Sequence, residues 1–219
     1  AQTQHAPIVN VSGKLKSYTE AEGADVRTAI YGSGTAIWNI SGSVEGQIGM
    51  YVKSGTLNVT GKVESTGTKY TEPTGNGSGC SGGSGCAIIM DTRTANAGDM
   101  KLYVSGNAEI ISGAGYAITE KITEEGVSVS KTDAIVVESG SIDGTKGMGC
   151  LNTTATIATD GTVKLNGGEY KGEDVSQYLP DNAIYVQVQT EDGTFAYKVD
   201  QMPCNKKSSL ASLDGNPLT

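Results

Sequence analysis

The chain has one histidine, His5, and only two arginines, Arg27 and Arg93. Serine or cysteine nucleophile chemistry would rest wholly on His5, held rigid in an N-terminal segment, which disfavours that class. Aromatic residues other than tyrosine are nearly missing, with one Phe and one Trp against 10 Tyr, and proline is scarce at 5 of 219 residues. No run approaches the ~18 apolar residues that a membrane span requires, so no transmembrane segment is expected. A signal peptide is not visible either, but the chain begins at Ala1 without a Met, so we read it as mature or trimmed and leave export open. A basic surplus is absent as well: 16 Lys+Arg face 24 Asp+Glu, a net charge of −8 and a pI of about 4.7. Such a surface repels phosphate backbones and makes nucleic acid an unsuitable partner.

What the chain has in quantity is glycine, 31 residues, with many Ser and Thr and 37% hydrophobic residues. That composition fits either many short strands joined by tight turns or a disordered chain. The regular alternation of Val, Ile and Leu decides for strands, since disorder has no reason to keep a period.

One motif returns along most of the sequence. Trp38-Asn39-Ile40-Ser41-Gly42-Ser43-Val44-Glu45 recurs as Leu57-Asn58-Val59-Thr60-Gly61-Lys62-Val63-Glu64 and as Leu102-Tyr103-Val104-Ser105-Gly106-Asn107-Ala108-Glu109. Val9 to Leu15 is an earlier copy, and Val136 to Asp143 and Val163 to Tyr170 are looser ones. Each copy reads as one strand and one turn. A second motif, small then apolar then variable, interleaves with it at Ala29-Ile30-Tyr31, Gly49-Met50-Tyr51, Ala87-Ile88-Ile89, Ala117-Ile118-Thr119, Gly149-Cys150-Leu151 and Ala183-Ile184-Tyr185. Repeats of constant core and variable spacing imply a stacked coil with loops of unequal length, here two strands per turn. Alternation predicts one inward column of Ile40, Val59, Val104, Val137 and Leu165, flanked by Trp38, Leu57 and Leu102. A second is expected to run through Ile30, Met50, Ile88, Ile118, Cys150 and Ile184. A β-sandwich competes, but it has no need to repeat its strands in one order.

Thr68 to Gly85 breaks the pattern as a glycine-serine loop, and Thr119 to Asp133 is a second excursion in which Val127-Ser128-Val129 suggests a strand. Near the end, Asp174 to Pro180 reads as a helical turn. Ala183 to Gln189 and Thr194 to Val199 flank the hairpin signal Glu191-Asp192-Gly193 and form an expected cap over the open stack end. The resulting division is coils over about 8–170, a cap over about 171–200, together a domain of 1–200, and a tail at 201–219.

Over roughly residues 8 to 200 the repeat resembles the right-handed parallel β-helix proteins of the pectate-lyase-like superfamily. More narrowly, with its glycine pair at Gly167-Gly168, the turn Asp174-Val175-Ser176 and the strand Asp192-Gly193-Thr194, the chain is similar to uncharacterised secreted or surface-anchored repeat proteins of gut-type bacteria. The resemblance implies an all-β, single-stranded right-handed parallel β-helix with a C-terminal cap hairpin, secreted or displayed on a cell surface. Adhesins, stalks and polysaccharide enzymes all use this fold. The reading it favours is a non-catalytic adhesin-like or glycan-binding module; the alternative is a polysaccharide lyase or glycoside hydrolase.

For the enzyme, the resemblance implies clustered acids and a basic residue, and Asp91, Arg93 and Asp99 are the one gathering of that kind, against a plain solvated ion pair. Glu45, Glu64, Glu109 and Asp143 follow the motif glycine in four copies; stacked in register they would form a carboxylate column that Ca2+ relieves, or else a solvated face screened by lysines such as Lys62. Tyr31, Tyr51, Tyr103 and Tyr185 occupy outward positions, where rings either stack on polysaccharide or host glycan or pad one face as an aromatic ladder. Cys80 and Cys86 enclose a five-residue loop that a disulfide can close, and Cys150 with Cys204 is a second option if the cap folds back. Tight CxxC pairs of a zinc site are absent. Asn-X-Ser/Thr triplets at Asn10, Asn39, Asn58, Asn76 and Asn152 are read as a by-product of the repeat.

Overall fold

The computed structural model describes residues 6–18, 27–73, 82–91, 100–121, 135–148, 163–171, 175, 178–179, 183–189, 191 and 195–201. Regular structure there is β, arranged in three sheets. Sheet A stacks β1 (Ile8–Val11), β4 (Ile37–Ile40), β7 (Thr56–Val59), β10 (Lys101–Val104), β13 (Ile135–Val137) and β15 (Val163–Leu165). Sheet B stacks β2 (Lys14–Lys16), β5 (Ser43–Gly46), β8 (Lys62–Ser65), β11 (Glu109–Ile111), β14 (Ser141–Asp143) and β16 (Gly168–Lys171), and then β18 (Phe195–Gln201) and β17 (Ala183–Gln189). Sheet C stacks β3 (Thr28–Gly32), β6 (Ile48–Val52), β9 (Ile88–Asp91) and β12 (Ile118–Lys121). The chain visits A, B and C in turn, and every pairing up to β16 is parallel. The arrangement is compatible with a parallel β-helix.

Each full circuit contains three strands, not the expected two. The motif glycine splits its copy into an A strand and a B strand, so the motif is a corner with a strand on either side. Its physical basis is a close approach of backbones. Ser41 and Gly42 both donate their N–H to the carbonyl of Val11, and Thr60 and Gly61 both donate to that of Ile40, at 2.9–3.0 Å. A Cβ on Gly61 would lie 2.2 Å from the Gly42 carbonyl oxygen, inside any allowed contact. Glycine is required there for space, since the preceding layer's backbone lies against it.

Register confirms the first inward column: Ile40, Val59, Val104, Val137 and Leu165 stand on successive neighbours and are at most 1% exposed. Full burial of such a side chain contributes about 1.5–3 kcal/mol. Leu57 and Leu102 pair in register beside Trp38 and are wholly buried, whereas Trp38, one layer nearer the start of the stack, is half-buried. A third column, Leu15, Val44, Val63, Ile110, Ile142 and Tyr170, lines sheet B.

The second predicted column holds through Ile30, Met50, Ile88 and Ile118 and then departs from expectation. Ile118 bridges to buried Met148, so Met148 takes the place assigned to Cys150, which lies outside the described residues. Ile184 is not in the column at all: it pairs with Asp200 across the β17–β18 hairpin and is 45% exposed. That hairpin runs antiparallel to β16, while a turn in which Tyr178 donates its N–H to Val175 (2.9 Å) buries both side chains against the core. The strand expected at Val127 to Val129 lies outside the described residues.

Candidate functional site

The four outward tyrosines do not share a face. Tyr31 and Tyr51 are in register in sheet C, with ring centroids 5.6 Å apart. Residues flanking 74–81 cover that side: Gly83 donates its N–H to Thr71, and Tyr70, Cys86 and Tyr116 pack with Ile48, Tyr51 and Ile89. Tyr51 is consequently 0% exposed and cannot offer its ring to a sugar, which corrects its assignment as a glycan platform. Tyr31 is half-buried beneath the Lys53 ammonium, 5.2 Å from its centroid. Tyr103 is half-buried on sheet A, level with Asn58 and Val136. Tyr185 stands on the cap, 5.7 Å from Tyr197. Beside the covered side, Tyr70 and Tyr116 meet edge to face at 5.6 Å under Lys146, and the Tyr70 hydroxyl donates to Glu72. Burial, with the Glu72 carboxylate, raises the Tyr70 phenol well above its usual range.

Nor do the four acids form one column. Glu45 and Glu64 are in register, but the next neighbour of Glu64 is Ile111, followed by Asp143. Glu109 belongs to a different row, between Lys62 and Ser141, because the corner before β11 is two residues longer: Val104 to Glu109 spans five positions where the paired Val59 to Lys62 spans three. Lysines answer the acids: Lys14 and Lys16 reach Glu45 at 2.7 and 3.4 Å, Lys62 reaches Glu64 at 2.7 Å, and Lys171 reaches Asp143 at 3.7 Å. The hydrogen bond from Lys14 holds the Glu45 carboxyl below its ordinary pKa, and Glu64 holds the Lys62 ammonium above its own. Among the described residues no three His, Cys, Asp or Glu side chains gather to hold an ion.

Asp91 is 0% exposed and accepts the Tyr51 hydroxyl at 2.7 Å. Arg93 and Asp99, expected to act with it, lie outside the described residues, as do His5, Cys80, Cys150 and Cys204. Cys86 is a free thiol in the buried cluster, where a disulfide to Cys80 was expected, and burial pushes its pKa up to about 11. Asn10, Asn39 and Asn58 form a side-chain ladder on sheet A, each amide donating to the one before at 2.8 and 2.9 Å. The repeated triplet therefore has a structural cause in the stacking of identical amides.

One concave feature combines an exposed ring with polar groups, and the motif-based reading missed it. A depression of about 300 Å3 opens at the corner between sheets B and C, lined by Lys16, Ser17, Tyr18, Gln47 and Thr66. That is the lower end of the ~300–1,000 Å3 typical of small-ligand clefts. Tyr18 is 74% exposed, with the Lys16 ammonium 5.5 Å from its ring centroid. The depression is partly preorganised: Lys16 is tied to Glu45, and the Gln47 side-chain oxygen accepts the Arg27 N–H at 2.8 Å. Thr66 is set by donating its N–H to Gly46, and Ser17 by donating to Glu45. Tyr18 follows the first copy of the repeat, outside any motif position, so periodicity alone gave no signal for it. Among the described residues no helix is long and apolar enough to cross a membrane. Comparison of the chain with protein-family models, with curated proteins and with solved structures gives no match.

Proposed function

We propose that this chain is a right-handed parallel β-helix that serves as a non-catalytic, adhesin-like module of a secreted or surface-displayed bacterial protein and holds polysaccharide or host glycan at the Tyr18 depression. The observation that carries the reading is the pairing of a largely exposed tyrosine ring with four polar side chains around one concavity. A flat ring takes the apolar face of a sugar, and lysine, serine, glutamine and threonine supply donors and acceptors for its hydroxyls. The net charge of −8 favours neutral or sparsely charged glycans over polyanions. The lyase or hydrolase alternative loses support from Asp91, whose buried carboxylate is engaged by Tyr51. Incubation with a panel of plant and host glycans tests both: retention without cleavage supports the module, and new reducing ends or unsaturated products support the enzyme.

A further inference from the structure

Sheet B ends in two unlike edges. At one, β2 is three residues long and carries Lys14 and Lys16, whose side chains are 61% and 36% exposed. Short length and lysines are the usual protection of a sheet edge, because a bare row of N–H and C=O groups pairs with any extended chain. At the other, β17 is seven residues long, reads Ala-Ile-Tyr-Val-Gln-Val-Gln, and contains no charge and no proline. Among the described residues β18 is its one strand neighbour. Ile184, Tyr185 and Val186 are 45%, 41% and 57% exposed, three consecutive apolar residues in the open.

We propose that β17 pairs antiparallel with β17 of a second copy of this chain, about a two-fold axis at Val186. Antiparallel pairing of identical strands is self-complementary and closes at two copies. Centred on Val186, it sets Ile184 opposite the Val188 position of the other copy and Tyr185 opposite the Gln187 position. Ile184, Val186 and Val188 share one side of the strand, so the two copies build a continuous apolar strip there. Charge selects the same occupant. Two chains of net charge −8 repel over most of their surfaces, and a seven-residue stretch with no charge lets them meet without opposed like charges. The same lack of charge gives an ionic peptide nothing to recognise. Eight strands from each copy then form one sheet across the axis. Pairing of one strand edge buries less than the ~1,200 Å2 of a stable complex, so the dimer exchanges with monomer.

Sedimentation velocity on the whole chain, from about 1 µM to about 1 mM, tests this, since a weak dimer of the kind described dissociates within that range. The expected result is a concentration-dependent monomer–dimer equilibrium that Val186→Lys weakens about tenfold or more, because it sets two ammonium groups face to face. Gln187→Lys, on the other side of the strand, is the second variant and is expected to weaken it too. Ile8→Lys, on the exposed β1 edge, should leave it unchanged. Circular dichroism identifies the variants that keep the wild-type fold, and only those are scored. A chain that stays monomeric throughout overturns the proposal, as does a dimer that survives in either folded β17 variant. The glycan reading is untouched by either result.

Discussion

Tyr51 donates its hydroxyl to Asp91 at 2.7 Å, and both residues are sealed from solvent on the outer side of sheet C. The bond joins β6 to β9 and turns two residues with apparent chemical promise into structural ones. A buried carboxylate that loses a donor suffers the full desolvation of that lone pair, about 1–3 kcal/mol. Tyr51→Phe should therefore lower the urea midpoint by a corresponding amount, and the loss should shrink when Asp91→Asn is already present. Equal and additive effects of the two changes would show that the pair is not coupled.

The corner glycines differ in what a methyl group would meet. Gly61→Ala drives a Cβ into the Gly42 carbonyl, whereas Gly13, in the first layer, has nothing within 4 Å of that position. Gly13→Ala is expected to change stability by no more than ~0.5 kcal/mol, the range of an ordinary surface substitution. Gly61→Ala should cost several times as much or prevent folding. Thermal melts of the two variants settle it, and similar Tm values would argue against stacked corners.

Acid should weaken the molecule partly through Glu45. Its folded pKa is depressed, chiefly by the hydrogen bond from Lys14, so the folded state releases the proton more readily than the unfolded chain does. The contribution is complete above the unfolded value, about 4.3 for a free glutamate, and disappears as pH falls through the lower folded value. Lys14 is largely exposed, so solvent screens the pair and the effect stays below about 1 kcal/mol. Urea unfolding of the wild type and Glu45→Gln at neutral pH should show a gap that closes near pH 3.

Cys86 is buried with its thiol pKa raised to about 11. Alkylation of the native protein near pH 8, followed by peptide mapping, should leave Cys86 unmodified, and unfolding should expose it to the reagent. Recovery of a peptide linking Cys80 to Cys86 under non-reducing conditions would contradict the free thiol.

Much of this fold was legible because period and burial coincide. Val59 and Val104 repeat at the same place in their motif copies, and the register stacks them directly. The division of the motif at Gly42 and Gly61 into strands of two sheets was not legible, because a tight corner and a hairpin turn both use glycine. Glu109 misled for a related reason: two residues of extra length at the corner moved it to another row, though it keeps the same spacing from its glycine as the other acids. Tyr51 obeyed its outward parity, but parity does not say whether a later segment returns to cover that side, as Tyr70 does. Tyr18, outside the repeat, was visible only once the sheets met at a corner.

The most direct measurement is a calorimetric titration of wild type and Tyr18→Ala with the best-retained glycan from the panel. Loss of one stacking ring of about 1–1.5 kcal/mol predicts roughly a tenfold rise in Kd. The melting temperature should be unchanged, since Tyr18 is 74% exposed. Undiminished binding by Tyr18→Ala, or the absence of binding by the wild type to every glycan in the panel, would contradict a carbohydrate site at this corner.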